Sequence, residues 1–311
     1  MRQSRDGHPY LYTAFGLHIA SGLLLPELLP DLDGPVAPDV HIGLGEVPTD
    51  IPGAREKKGI YQVARDRFLF WIRGIGRYYV TDGNRIIIRP DGSPAENAVR
   101  LVLLGTGLGS LLLQRGVFSI HGSAVLVNQR CVIFTGVSGV GKSTLSAAFN
   151  VRGYPMLTDD VAAVTIDDHN GLPWVQFGYP QHKLRRDSAQ AVGVDVSSGS
   201  MVFPGKRGSK FALPAHKEFW RSPVRLGAVY ELTAGSDDVS MRHLSIAEKL
   251  AVMMSNTYRP WLINGFDLRR QHFEWCVAIA RTVPIVRLTR PGGMFPVAEQ
   301  MRLIENDLPR E

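Results

Sequence analysis

A glycine-rich run near the middle of the chain constrains its fold more than any other feature. Residues 136–143 read Gly-Val-Ser-Gly-Val-Gly-Lys-Ser, which matches the pattern G-x-x-x-x-G-K-[ST] at every fixed position. The apolar run 131–135 before it predicts a strand, and residues 144–149 after it predict a helix. A strand, a glycine loop and a helix in this order predict an α/β fold whose loop cradles phosphate groups.

Each residue type in this loop suits phosphate binding. Glycines let backbone N–H groups converge on phosphate oxygens, and the positive end of the following helix points at the same anion. We expect Lys142 to reach the β- and γ-phosphates of ATP and the hydroxyl of Ser143 to ligate Mg²⁺. The alternative is a glycine turn that binds nothing, against which the flanking strand and helix argue. The predicted nucleotide-binding residues are Gly136, Val137, Ser138, Gly139, Val140, Gly141, Lys142, Ser143 and Thr144.

Two adjacent aspartates, Asp159 and Asp160, close a short apolar stretch after the loop. One helix, one turn and one strand fit between Lys142 and this pair, so we expect the carboxylates at the carboxyl end of a strand beside the loop strand. Neighbouring positions on a strand point to opposite faces, which suits two tasks. One carboxylate can hold Mg²⁺, and the other can take the proton of an acceptor hydroxyl. The alternative is a strand-ending turn, where aspartate is common.

Composition narrows the class of protein. The 311 residues are 44 % hydrophobic and 21 % charged, which is typical of a soluble globular chain with two domains. The net charge of +6 suits an acidic ligand such as ATP. The basic residues are scattered and form no known nucleic-acid-binding motif, so no nucleic acid partner is expected. Two cysteines without a metal or redox spacing, and a polar N-terminus without a signal peptide, favour the cytoplasm.

The predicted organisation is a β-rich N-terminal domain over residues 1–94 and a catalytic domain over residues 95–311. In the first, Asp82, Gly83 and Asn84 predict a tight turn between strands at 78–80 and 86–88. The most apolar window, residues 101–113, predicts a buried helix and is too short to span a bilayer, so no membrane partner is expected. In the second domain we expect His121 and Gly122 at a bend between two short strands. Further predicted elements are a strand at 224–232, helices at 246–255 and 267–281, a strand at 283–288 and a helix at 296–307.

The residues with chemical roles resemble a known family. Ile120-His121-Gly122-Ser123, the 136–143 loop, Gly153-Tyr154 and Thr158-Asp159-Asp160 look like the core of the HPr kinase/phosphorylase family, which has a phosphoenolpyruvate-carboxykinase-like fold. The chain more closely resembles the smaller HPr-kinase-like serine kinases. Some of these occur in lasso peptide biosynthesis clusters and phosphorylate the precursor peptide. The resemblance covers roughly residues 95–295 and implies a P-loop kinase core with a mixed sheet and flanking helices.

The resemblance also implies a role for each matching residue. The loop would bind the phosphates, and Asp160 would complete the Mg²⁺ site with Ser143. Asp159 would be the base that accepts the serine proton, and His121 would orient that base or tune its pKa. From the residues alone, a hydrogen-bonded core histidine is the favoured interpretation of His121, and the resemblance reverses it.

The chain also departs from the bifunctional members of that family. Those members carry Glu where Thr144 stands, and their Arg-Gly-Leu-Gly stretch has no clear counterpart here. The departures favour a kinase without phosphorylase activity, acting on something other than HPr. A further cation should stabilise the transferring phosphate. The candidates are Lys206, Arg207, Lys210, Arg185, Arg186 and Arg259, with Lys206 and Arg207 on a glycine-rich loop preferred.

The expected activity is ATP- and Mg²⁺-dependent phosphorylation of a serine hydroxyl on a peptide or small protein, with a lasso peptide precursor suggested by the resemblance alone. One alternative is a kinase of a small-molecule alcohol or amino acid, which would need a closed acceptor pocket instead of an open groove. Another is a nucleotide-dependent switch with slow ATPase activity. Assembly into a homo-oligomer is left open.

Overall fold

The computed structural model of the chain describes residues 9–32, 36–197, 199–202, 209–293 and 295–308. The strands are β1 (Tyr10–Ala14), β2 (Leu17–Ser21), β3 (Leu29–Pro30), β4 (Val40–Leu44), β5 (Glu56–Lys58), β6 (Tyr61–Ala64), β7 (Arg67–Ile72), β8 (Gly76–Thr81), β9 (Arg85–Pro90), β10 (Phe118–Val127), β11 (Arg130–Thr135), β12 (Met156–Thr158), β13 (Val161–Ile166), β14 (Pro173–Gln176), β15 (Gln181–Arg185), β16 (Ser200–Val202), β17 (Lys210–Pro214), β18 (Val224–Ser236), β19 (Ser240–His243) and β20 (Ile285–Pro291). The helices are α1 (Glu96–Val102), α2 (Leu108–Gln114), α3 (Lys142–Val151), α4 (Arg186–Ala191), α5 (Ile246–Ser255), α6 (Trp261–Gly265), α7 (Arg269–Thr282) and α8 (Val297–Asp307).

The chain folds into two compact units. The first consists of Met1–Ser119 and Arg259–His272, and the second of Ile120–Tyr258 and Phe273–Glu311. The expected boundary lay near residue 94, so the division differs from the prediction in two ways. The apolar helices that follow the β-rich segment lie in the first unit, and a later segment returns to that unit.

The first unit contains a nine-stranded sheet in the order β3-β1-β2-β4-β9-β8-β7-β6-β5. The predicted hairpin is confirmed, because β8 and β9 pair antiparallel with Tyr78 opposite Ile88 and Val80 opposite Ile86. Its turn has positive φ at Asp82 (56°) and at the following glycine (63°), the backbone that Asp-Gly sequences favour.

Helices α1 and α2 form one continuous helix through a π turn at Leu103–Gly107. The Tyr78 hydroxyl donates to the Val99 carbonyl, and the Gly83 N–H bonds to the Gln114 side chain, so the helix packs on its own unit's sheet. These contacts explain why the unit extends past residue 94.

The same continuous helix bears on the membrane prediction. It has 19 residues and is long and apolar enough, by length and composition, to cross a membrane. The window 101–113, which was expected to be too short to span a bilayer, is thus part of a longer helix. However, 67 % of its most apolar window is buried, as expected of a buried helix, and core helices of soluble proteins pass the same test.

The second unit contains an eight-stranded mixed sheet in the order β11-β10-β13-β14-β18-β20-β19, with β12 also paired to β10. A separate three-stranded sheet has the order β15-β17-β16. Strand β11 runs parallel to β18, and β18 runs parallel to β20. The carboxyl ends of these three strands therefore meet at one edge of the sheet, the edge where ligands of α/β sheets bind.

A buried apolar cluster fixes the loop strand and the helix that follows it. Phe134 of β11 stacks on Phe149 of α3 with ring centroids 5.5 Å apart, and both side chains are fully buried. The same cluster includes Tyr230 of β18 and Ile304 of α8. The predicted strand–loop–helix order is thus the order in the structure, with α3 packed against the sheet that carries the loop.

Strand β10 is continuous through His121 and Gly122, so the bend expected there was wrong. Residues 118–127 form one ten-residue strand, whereas two short strands with a bend at His121 and Gly122 were expected. The glycine is required by packing: a Cβ on Gly122 would lie 2.7 Å from the Phe134 carbonyl oxygen and 2.9 Å from Ile133 Cγ2. The close approach of β10 to β11 thus accounts for the residue that suggested a bend.

Candidate functional site

The glycine loop at the end of β11 has positive φ at each of its three glycines. Gly136, Gly139 and Gly141 have φ values of 127°, 86° and 117°, in the region where glycine alone is unstrained. Gly141 is the N-cap of α3, and no described side chain caps this end. The N–H groups of the first helical turn are therefore oriented toward the loop and available to an anion.

Lys142 lies across its own loop. Its Nζ donates to the Gly136 carbonyl at 2.7 Å and to the Val137 carbonyl at 3.3 Å, and the residue is 8 % exposed. Burial lowers the pKa of Lys142, and Lys210 acts in the same direction, although the two aspartates oppose this. Phosphate oxygens at the loop would therefore stabilise this ammonium more than the present carbonyls do.

Asp159 is buried and held at both oxygens. Ser143 Oγ donates to its Oδ1 at 2.8 Å, Ser123 Oγ donates to the same oxygen at 2.5 Å, and the Lys183 N–H donates to Oδ2 at 2.8 Å. The carboxylate is only 2 % exposed. The last residue of the glycine loop and the first aspartate therefore lie in direct contact.

Asp160 lies in a different environment from its neighbour. Its side chain is one-third exposed, with Oδ1 3.5 Å from His121 Nε2 and Oδ2 3.3 Å from Lys183 Nζ. Burial alone would raise the pKa of Asp160, but the positive charges of Lys183, His121 and Lys210 outweigh it and lower the pKa. This carboxylate stays ionised and can accept a proton from a group that enters the cavity.

The two aspartates lie in the turn between β12 and β13, and not on a strand as expected. Strand β12 ends at Thr158, and Asp160 has a φ of 83°, which turns the chain so that the two side chains separate. The loop strand is also not the direct neighbour of β12, because β10 pairs with both of them in antiparallel fashion. Strands β11 and β12 therefore run in the same direction and end at the same edge.

His121 projects from β10 toward Asp160. It is 38 % exposed, and its backbone N–H donates to the Asn256 carbonyl at 2.8 Å. Its ring packs edge-on against Tyr258 with centroids 5.9 Å apart. The Asn256 side chain accepts from the Gly136 N–H at 3.0 Å, so one residue after α5 braces both the histidine and the glycine loop.

These residues line one cavity of about 240 Å³. It brings together the predicted catalytic residues, both predicted metal ligands and part of the glycine loop. Three predicted nucleotide-binding residues, Gly136, Val137 and Val140, are not among the lining residues; Val137 is exposed and Val140 is buried in the core. The predicted site residues that line the cavity are His121, Ser138, Gly139, Gly141, Lys142, Ser143, Thr144, Asp159 and Asp160.

The contacts of the two aspartates do not match the roles that the sequence predicted for them. The expectation placed Asp160 with Ser143 at the metal and Asp159 with His121 as the base. In the structure Ser143 contacts Asp159, and His121 is paired with Asp160. Asp159 therefore has the surroundings that were expected for Asp160, and Asp160 has those that were expected for Asp159.

The predicted phosphate-stabilising cations are only partly placed. Lys206 and Arg207 lie outside the described residues. Lys210 and Arg185 line the cavity, whereas Arg186 stacks over Phe211. Arg259 lies in the first unit, where it donates to Thr106.

Sequence reasoning assigned no role to five polar residues that line the cavity: Ser123, Lys183, Asp187, Ser188 and Arg290. Ser123 directly follows the His-Gly pair, so its neighbourhood in the sequence was a usable signal. Arg290 lies near the end of β20 and donates to the Val140 carbonyl of the loop. Lys183 lies on β15. Both lie on strands, and no spacing in the sequence relates them to the glycine loop or to the aspartates.

No protein-family model and no curated protein matches the chain. Among solved structures, the chain is similar to that of the Hpr(Ser) kinase/phosphatase from Coxiella burnetii, with 10 % sequence identity and a TM-score of 0.30. The match covers 60 % of this chain and 95 % of that chain. A likeness this distant leaves the site residues themselves as the basis for a function.

Proposed function

We propose that the second unit is an ATP- and Mg²⁺-dependent kinase that transfers the γ-phosphate to a serine hydroxyl of a peptide or small protein. The observation that carries this proposal is the cavity in which the Lys142 ammonium, the Ser143–Asp159 pair and the Asp160–His121 pair meet. A glycine loop alone would support nucleotide binding. A second, partly exposed carboxylate beside a histidine supports transfer to a hydroxyl.

Asp159 and Ser143 suit a magnesium site. Both are oxygen donors, and they lie in contact at the end of the loop. Among the described residues, no group of three or more His, Cys, Asp or Glu could hold a metal ion. Mg²⁺ commonly takes most of its ligands from phosphate and water, so a site with one carboxylate and one hydroxyl suits it. When bound, Mg²⁺ would neutralise phosphate charge.

Asp160 is the better placed of the two carboxylates to act as the base. It is one-third exposed, whereas both oxygens of Asp159 already accept hydrogen bonds. In the proposed reaction Asp160 takes the proton of the acceptor hydroxyl while that oxygen bonds to the γ-phosphorus. The bond from the γ-phosphorus to the bridging oxygen breaks, and ADP leaves. Lys142 and the loop N–H groups would bind the phosphate oxygens.

Three acceptors fit a base at this position: a serine hydroxyl, a small-molecule alcohol or amino acid, and water. The resemblance of the His-Gly, glycine-loop and Asp-Asp motifs to serine kinases supports serine, and a ribosomal lasso peptide precursor is an attractive substrate on the same ground. A small-molecule alcohol or amino acid could use the same loop and base. Slow ATP hydrolysis by a nucleotide-dependent switch would need a water in place of the hydroxyl.

Transfer from γ-labelled ATP with Mg²⁺, using a cell extract of the source organism as the supply of acceptors, tests the proposal. We expect label on a peptide or protein, recovered as phosphoserine. It should be lost with Lys142→Ala and fall by about 10²- to 10⁴-fold with Asp160→Asn, which removes the base. Label on a small molecule would support the metabolite kinase. Free phosphate alone, from a protein that labels no acceptor, would contradict the kinase and support the switch.

A further inference from the structure

We propose that Lys183 is the cation that contacts the transferring phosphoryl group; this rests on the kinase function proposed above. Negative charge on the equatorial oxygens of that group must be stabilised during transfer, and groups fixed in place beforehand do this best. The loop residue Lys142 supplies one positive charge. A second was expected on the glycine-rich loop that carries Lys206, but a strand residue offers a fixed charge inside the cavity.

Lys183 is held at both its backbone and its side chain. Its N–H donates to Asp159 Oδ2 at 2.8 Å, and its Nζ lies 3.3 Å from Asp160 Oδ2 and 3.4 Å from the Tyr179 hydroxyl. The residue is 8 % exposed and lines the cavity. The ammonium is therefore fixed beside Asp160, to which the acceptor is assigned, while the backbone N–H of the same residue holds Asp159, to which the metal is assigned.

The ammonium remains charged in this position. Burial alone would lower the pKa of Lys183, but its neighbours, among them the negative carboxylates of Asp160 and Asp159, outweigh burial and raise it. An ammonium has three N–H donors, and the described residues engage two of them, at Asp160 and Tyr179. The third can reach a phosphate oxygen. Lys183 gains and loses no proton in the reaction, because the hydroxyl proton goes to Asp160.

Three other cations besides Lys142 line the cavity, Arg185, Lys210 and Arg290, and among the described contacts none of them donates to either aspartate as Lys183 does. The Arg290 guanidinium donates to the Val140 and Pro291 carbonyls and stacks on the Phe295 ring at 4.0 Å, so its donors already support the loop. Lys210 is exposed at the start of β17, and a flexible surface ammonium costs more entropy to position. Burial lowers the pKa of His182, next to Lys183, so that imidazole is neutral at pH 7.

The test compares Lys183→Gln with wild type in two measurements: kcat for phosphate transfer and the Kd for ADP with Mg²⁺. Lys183→Gln keeps a donor near Asp160 but removes the charge. We expect kcat to fall about 100-fold or more, because one fixed donor to the developing charge is lost. ADP lacks the transferred group, so its Kd should stay within about threefold of wild type. Lys217→Gln, at an exposed lysine outside the cavity, is the matched control and should leave both values unchanged.

Three results would overturn the assignment. A kcat within about threefold of wild type would show that the charge is not used. A loss of ADP affinity as large as the loss of kcat would show that Lys183 maintains the cavity and does not act on the transferred group. If neither Lys183→Gln nor the similarly shaped Lys183→Met unfolds cooperatively, the variants are not folded. The lysine would then be a structural residue. A wild-type protein that transfers no phosphate is a separate outcome, since it removes the kinase function itself.

Discussion

At the scale of single residues, two adjacent aspartates have different surroundings because the backbone turns between them. Asp159 is 2 % exposed and accepts hydrogen bonds from Ser143 and Ser123. Asp160 follows with a φ of 83° and faces His121 and Lys183. A pair of identical side chains can therefore divide the tasks of holding a metal and accepting a proton.

The neighbours of Asp160 predict a pH effect. Positive charge on His121 is one of the causes that lower the pKa of Asp160. A base works only while it is deprotonated, so activity is lost as the pH falls through its pKa, and a lowered pKa places that loss at lower pH. His121→Gln removes the charge, so the pKa of Asp160 should rise. We expect the acid limb of the kcat/KM profile to move to higher pH.

His41→Gln provides the control for this profile, because His41 is an exposed histidine of the first unit. Its acid limb should coincide with that of wild type. An acid limb of His121→Gln that coincides with wild type, or moves to lower pH, would show that His121 does not act on the base.

The residues that sequence reasoning found are those fixed by local pattern. The loop 136–143 is defined by consecutive positions, so its backbone and its lysine were predictable. Lys183 contacts Asp160 across 23 positions of the chain through a strand of a separate sheet. No spacing in the sequence records such a contact, and for the same reason the two aspartates were assigned each other's surroundings.

At the scale of elements, β10 connects the parts of the site. Its residues His121 and Ser123 both line the cavity, while the strand pairs with β11, which carries the glycine loop, and with β12, which leads to the aspartates. Gly122 lies between the two polar residues and allows β10 and β11 to approach closely. The position of the histidine relative to the loop therefore depends on this glycine.

Gly122→Ala should destabilise the second unit. The added Cβ would lie 2.7 Å from the Phe134 carbonyl oxygen, so the two strands must separate. We expect a loss of about 1–3 kcal/mol in the free energy of unfolding, measured by urea denaturation, as for overpacked cores. The displaced β10 should also reduce phosphate transfer.

Gly43→Ala is the matched control, because Gly43 is also a strand glycine and a Cβ there meets no atom within 4 Å. It should leave the unfolding free energy within about 0.5 kcal/mol of wild type. If Gly122→Ala were as stable and as active as Gly43→Ala, close packing would not be the reason for Gly122.

Elements with a strong local signal were predicted well, and those defined by pairing were not. The helix at 246–255 was predicted with the bounds that it has, and the final helix differs by one residue at its start. In both, an amphipathic pattern defines the element. Strand β10 was predicted as two strands, because a histidine and a glycine inside a strand read as a bend until the partner strand is known.

At the scale of the whole molecule, two sheets with different connectivity organise the two units. The nine-stranded sheet of the first unit is mostly antiparallel, with parallel pairing only at β2–β4 and β4–β9. In the second unit, residues of both the mixed sheet and the three-stranded sheet line the cavity. The shift from β-rich to helical composition near residue 94 suggested a boundary there, but packing of the Glu96–Gln114 helix places it later. Local composition indicates whether a segment is a strand or a helix, whereas the boundary between two units depends on which segments pack together.

The division of tasks between the two aspartates is the most direct test of the proposed chemistry. We would titrate Asp159→Asn and Asp160→Asn with ATP, with and without Mg²⁺, and measure kcat for each. Asp159→Asn should lose the Mg²⁺-dependent part of ATP affinity. Asp160→Asn should retain that affinity within about threefold, while kcat falls by about 10²- to 10⁴-fold. If Asp160→Asn lost the Mg²⁺ dependence and Asp159→Asn kept it, the roles would be reversed, and if both variants kept wild-type kcat, the cavity would not be a phosphotransfer site.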